Sequence, residues 1–257
     1  MLVYVDRFLL AGIAGVAAVG LYTPAFEVAT RLLILPAGVV MALFPAFSAW
    51  SAAEPTRSAR AAARAVLYIV AALVPPVVLV LALGADALRL WLTSEFASDT
   101  AVALAILSCG ALINAAAFVP ATLLQGAGRP DIPTKLYLIE LLPYLGLAIV
   151  FVTRWGVTGA AAAWSIRVTV DAALLFWATH WIGVLPFGEL VRARVPQSVL
   201  AVAALALAPA AVVASIGEPW VRAVATTIIL VAASVFLATY ALRADGRSRV
   251  AQALGLT

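Results

Sequence analysis

Seven charged side chains sit inside stretches that are otherwise apolar: Asp6, Arg7, Glu27, Arg31, Glu140, Arg167 and Asp171. In that setting the chemistry open to them is recognition and neutralisation of charge. A charge at a bilayer centre costs about 2.5–3.5 kcal/mol on insertion scales, so such residues usually face a bundle interior or a wet cavity. Two pairs, Glu27 with Arg31 and Arg167 with Asp171, are four residues apart. Four residues turn a helix through about 400°, which puts both members of a pair on one face. Each charge can therefore neutralise its neighbour. Neutralisation does not account for their presence, because a pair of leucines would insert at lower cost. Asp6 and Arg7 are adjacent and point about 100° apart, so their partners are expected on other helices. Interhelical stapling or snorkelling is the plainer role, and it suits Glu27 and Arg31 near the start of a span. Arg167 and Asp171 lie deep within theirs, which favours a cavity.

Other reactive chemistry is sparse. There is one Cys, Cys109, and one His, His180, so neither an intrachain disulfide nor a zinc site has its ligands. Cys109 lies in an apolar run and reads as a small core residue; His180 ends one and reads as interfacial. No Gly-rich phosphate loop and no Ser nucleophile elbow is present. "GAGR" at 126–129 lacks the Lys-Ser/Thr of a phosphate loop and reads as a loop between spans. "MLVYVDRFLL" has no basic region ahead of its apolar stretch, so it does not read as a signal peptide.

The elements that position these residues follow from composition. The 257 residues are 65% hydrophobic and 11% charged, against roughly 25% charged in soluble domains. So few charges cannot cover so much apolar surface, and the fitting solvent is a bilayer. A membrane helix takes about 20 apolar residues. Eight spans are predicted, over roughly 2–16, 21–50, 65–84, 100–126, 134–153, 157–180, 196–216 and 220–242, in an all-α polytopic membrane bundle. The connecting stretches, among them "EPTRSARAAAR", "GAGRPDIPTK", "TRWGVTG" and "GVLPFGELVRARVP", are too short to be soluble domains.

Basic residues favour cytoplasmic loops. Arg57, Arg60, Arg64, Arg129, Lys135, Arg192, Arg194, Arg243, Arg247 and Arg249 follow even-numbered spans, whereas Arg89, Arg154 and Arg222 lie in the opposite loops. This bias places the C-terminus in the cytoplasm and accounts for a pI near 9.6 without nucleic acid. Pro36, Pro45, Pro75, Pro76, Pro120 and Pro143 fall within spans, where proline removes a backbone hydrogen bond and kinks the helix. Asn114 and Gln125 are candidates for interhelical hydrogen bonds.

The stretch 6–48, "DRFLLAGIAGVAAVGLYTPAFEVATRLLILPAGVVMALFPAFS", resembles the first two helices of the C-terminal lobe of polysaccharide flippases. These belong to the multidrug/oligosaccharidyl-lipid/polysaccharide exporter superfamily. "LLQGAGRPDIPTK" (123–135) is similar to the family's loop after the lobe's fourth helix, and "WGVTGAAAAWSIR" (155–167) to the start of its sixth. The resemblance covers about residues 3–180. It implies a six-helix C-terminal lobe over 1–183 with a truncated first helix, followed over 184–257 by two further membrane helices and a short cytoplasmic tail. It implies a multi-pass protein of the bacterial inner membrane that moves a lipid-linked oligosaccharide, commonly on undecaprenyl diphosphate, for cell-surface polysaccharide assembly. Arg7, Arg31 and Arg167 would line the cavity and bind the anionic cargo. Asp6, Glu27, Glu140 and Asp171 would hold an arginine or carry a coupling ion. No cofactor is implied. The partners would be the cargo, the bilayer, a missing N-terminal lobe and other glycan assembly proteins. Because family members have two lobes, the gene is expected to begin upstream of Met1. A multidrug or metabolite exporter of the same superfamily, a polymerase or ligase acting on lipid-linked sugars, and a non-transporting scaffold in a glycan assembly complex are the rival readings.

Overall fold

The computed structural model describes residues 5–91 and 94–193, with the single positions 195, 221, 224 and 228 beyond them. The seventh and eighth spans fall, but for three of those positions, outside the described residues. Among the described residues every regular element is helical. The chain is an all-α, multi-pass membrane bundle; among the described residues four helical stretches are long and apolar enough to cross a bilayer.

α1 (Val5–Ile13) has 9 residues, about 13 Å at 1.5 Å each. It is too short to cross a ~30 Å hydrocarbon core. Gly15, with φ 87°, turns the chain into α2 (Val16–Arg31). The second expected span does not run unbroken. α2 ends at Arg31 and α3 begins at Ile34, ending at Ala53. Pro36 has no N–H, so the carbonyl of Leu32, four residues earlier, loses its helical partner. The chain tightens there: the Leu32 N–H donates to the Ala29 carbonyl at 3.3 Å and the Leu33 N–H to that of Thr30 at 3.0 Å, the shorter spacing of a 3₁₀ turn. The remaining in-span prolines sit in continuous helix.

α4 (Pro55–Trp91) starts earlier than expected. The polar stretch 55–64 is helical because Pro55 suits a first helical position and Ala and Arg are strong helix formers. Ala59, Ala62, Ala63, Val66, Ile69, Val70 and Leu73 recur at helical spacing and are buried. α5 (Ser94–Gly126) is the hub and touches α2, α3, α4 and α6. Small residues permit the close approach of these helices. A Cβ on Gly110 would lie 2.6 Å from the Ser165 Oγ, and one on Gly126 would lie 2.9 Å from the Phe47 Cβ. The Ser165 hydroxyl donates to the Ile106 carbonyl at 3.0 Å. Asn114 and Gln125 make no interhelical hydrogen bond among the described residues.

α6 (Asp131–Trp181) holds two spans. Its 51 residues would be about 76 Å long if straight. Gly156 instead adopts φ 52°, ψ −123°, and the arms 131–155 and 157–181 fold back on each other. A Cβ on Gly159 would lie 2.0 Å from the Phe151 carbonyl oxygen, so glycine is required there. Ala148 packs with Ala163 further down the hairpin. Gly183 (φ 80°) then leads to α7 (Phe187–Arg192), in a stretch expected to be a loop. Leu185 and Leu190 sink into the α4 cluster, and Glu189 accepts from Arg192 at 2.8 Å and pairs with Arg60 at 3.8 Å.

Candidate functional site

The short α1 lays Asp6 and Arg7 against α2. Asp6 is buried and accepts hydrogen bonds from the Tyr22 hydroxyl and, at 3.0 Å, from the Arg7 N–H. The Arg7 Nη2 donates to the Glu27 Oε1 at 2.8 Å, and its Cζ lies 5.0 Å from the Phe26 ring centroid. Asp6 and Arg7 thus have cross-helix partners. The pair expected within α2 does not form, because Glu27 is taken by Arg7. Arg31 is exposed at the end of α2 and, among the described residues, has no hydrogen bond or ion pair with the other six charges.

The α6 hairpin gathers the rest. Its register, fixed near Gly156 by the Phe151–Gly159 contact, continues to Tyr144 opposite Arg167 and to Glu140 opposite Asp171. The Arg167 Cζ lies 5.5 Å from the Tyr144 ring centroid. The expected Arg167–Asp171 pair closes no ion pair or hydrogen bond; the two interact electrostatically, and the Arg167 Nε is buried without an acceptor among the described residues. Glu140 (6% exposed) and Asp171 (2%) come within hydrogen-bonding reach of each other across the hairpin. Among the described residues, both Glu140 oxygens and the Asp171 Oδ1 lack a donor.

Tyr144 links the two groups. It is buried, its hydroxyl has no partner among the described residues, and it lies within electrostatic range of Asp6 on one side and Arg167 on the other. Six of the seven charges therefore form one seam across α1, α2 and both arms of α6, with Tyr22 and Tyr144 between them and Arg31 outside it. Sequence reasoning missed both tyrosines. Their signal is faint: each is a phenol in an apolar helix, and Tyr144 falls one turn after Glu140.

A separate apolar groove of about 420 Å³ runs between α4, α5 and the second arm of α6, lined by residues such as Val74, Cys109, Leu112, Ala172 and Phe176. Cys109 is exposed on its wall, not buried in the core as expected, because its face of α5 meets the groove. The His180 Nδ1 accepts from the Phe187 N–H at 3.3 Å, and its ring stacks on Phe187 at 4.2 Å. Among the described residues no three His, Cys, Asp or Glu side chains cluster as metal ligands.

The fold and seam define a class: a polytopic membrane bundle with a charged interior. No family profile matches the chain, and no solved structure matches it. It is 32% identical over 177 residues to a protein of Shigella flexneri named "Putative O-antigen transporter". The match covers 69% of this chain and 42% of that relative, so the chain spans about two fifths of the relative's length.

Proposed function

We propose that the chain is one lobe of a transporter that moves a lipid-linked oligosaccharide across the inner membrane for cell-surface polysaccharide assembly. The likeness to a protein named as an O-antigen transporter supports transport over enzymatic chemistry. The observation that carries the reading is the seam itself: Arg7 and Arg167, both partly exposed, stand on one polar line through an apolar bundle. Guanidinium groups match diphosphate oxygens in bidentate geometry, so the cargo's anionic head would bind between Arg7 and Arg167. Arg31, away from the seam, would meet the cargo at the mouth of the passage. Asp6 and Glu27 orient Arg7 through its backbone and side chain, and Asp171 and Glu140 balance Arg167.

The exposed charges of Glu27 and Arg31 on α2 cannot face lipid at acceptable cost. In this reading they face water between this lobe and a second one, and the two lobes rock about the cargo to expose it on alternate sides. The basic end of the bundle, with Arg57, Arg60, Arg64, Arg129, Lys135 and Arg192, is the cytoplasmic end.

The test is glycan analysis of a strain lacking the gene and complemented with variants. Arg167→Ala should accumulate to wild-type levels in the membrane while lipid-linked units build up on the cytoplasmic side and surface polysaccharide is lost. Normal surface polysaccharide with that variant would end the assignment of Arg167.

A further inference from the structure

The four acidic residues of the seam are not equivalent. Asp6 has two donors, the Tyr22 hydroxyl and the Arg7 N–H, and Glu27 has the Arg7 guanidinium. Among the described residues Glu140 and Asp171 have no donor of that kind. They approach each other from opposite arms of the hairpin, at least nine-tenths buried, with three of their four oxygens sealed from solvent and unpartnered. As carboxylates both groups only accept hydrogen bonds, so no bond between them exists until one holds a proton.

The charge around them can be counted element by element. The second arm of α6 brings Arg167, which lies within electrostatic range of both carboxyls. The first arm brings the neutral phenols Tyr137 and Tyr144. From α1 and α2 come Asp6, Arg7, Tyr22 and Glu27, already engaged with one another. From α5, Ala117, Ala121 and Leu124 pack beside Ala172 and bring no charge. Two carboxylates against one guanidinium leave a single negative charge in a low-dielectric interior, where an uncompensated ion is strongly disfavoured. Like-charged carboxyls at close quarters resolve this by sharing one proton.

We propose that Glu140 and Asp171 form a binding site for a single proton, held as an O–H on one carboxyl and hydrogen-bonded to the other, with Arg167 neutralising the charge that remains. A proton fits better than an alkali cation, which takes several oxygen ligands, because the two carboxyls have no further partner among the described residues. The site deepens the transport reading and rests on it only for its consequence: the proton would be the ion whose gradient drives export. Releasing it would restore the net charge beside Arg167 and change the hold on an anionic cargo. Proton occupancy itself can be read without any transport.

The experiment is infrared difference spectroscopy on the full protein in nanodiscs, titrated over pH in sodium-free and sodium-containing buffer. The expected result is a carboxylic-acid carbonyl band at neutral pH that disappears at alkaline pH and is unmoved by sodium. Both Glu140→Gln and Asp171→Asn should lose it, because each leaves one carboxylate balanced by Arg167, while Glu27→Gln should keep it. Matched size-exclusion profiles establish that the variants are folded. Absence of the band from the wild type, its persistence in both variants, or its loss on adding sodium at fixed pH would each overturn the proposal. If the band behaves as expected while Arg167→Ala still supports normal surface polysaccharide, the proton site stands and the assignment of Arg167 to the cargo fails.

Discussion

Asp6 depends on one side chain that no spacing rule singles out. The Tyr22 hydroxyl is its only side-chain donor among the described residues, and Asp6 is 1% exposed. Removing a donor from a buried acceptor costs about 1–3 kcal/mol. Tyr22→Phe should therefore lower the apparent melting temperature of the detergent-solubilised protein by several degrees, measured by dye-free thermal unfolding, whereas Glu27→Gln should barely move it. Glu27 is half-exposed, and exposed pairs contribute about 0–1 kcal/mol. Equal shifts for the two variants would contradict the difference in burial. At this scale the charged residues are legible in the sequence and their partners are not. Glu27–Arg31 and Arg167–Asp171 have the spacing of helix-face pairs, yet Arg7 takes Glu27 and the Tyr144 ring takes Arg167. Tertiary partners from another helix or arm compete with the i,i+4 neighbour, and a one-dimensional pattern does not contain them.

The element that decides the site is the α6 hairpin. Its turn at Gly156 sets a register that brings Glu140 opposite Asp171, and its closeness depends on Gly159. A side chain at Gly159 would drive into the Phe151 carbonyl, so Gly159→Val should part the two arms. Size-exclusion profiles and membrane accumulation should show nearly complete loss of folded protein, while Gly146→Val, at an open position, should be tolerated. Similar yields from the two variants would argue against the close-packed register. Both arms were legible as apolar runs of spanning length, as were α4 and α5. What was not legible was how the arms are joined: the polar punctuation "TRWGVTG" reads as a loop, but only Gly156 leaves helical geometry. The break between α2 and α3 was signalled by Pro36, whereas Pro75 and Pro76 gave the same signal without a break. Proline removes a donor, but whether the helix opens depends on what packs around the freed carbonyl. α7 was missed because six residues are too few to show a period; its place is set by Leu185 and Leu190 docking on α4.

Across the whole molecule the charge bias along the chain becomes a polarity of the bundle. The α3–α4 and α5–α6 junctions and α7 gather the basic residues at one end, and the Gly15 and Gly156 turns lie at the other. In a Cys109→Ser background, Ala14→Cys should react with a membrane-impermeant thiol reagent in cells whose outer membrane is permeabilised. Thr134→Cys should react only after the inner membrane is opened as well. The reverse pattern would invert the orientation. The proposed role of Arg7 and Arg167 is to grip an anionic lipid head, and its most direct measurement is binding of undecaprenyl diphosphate to the purified full protein, followed by native mass spectrometry. Loss of a charge-assisted contact is worth about 1.5–3 kcal/mol, so Arg7→Ala and Arg167→Ala should each weaken binding roughly 10- to 100-fold relative to wild type, with undecaprenol itself bound equally by all three. Equal affinity of the variants and the wild type for the diphosphate would contradict the account.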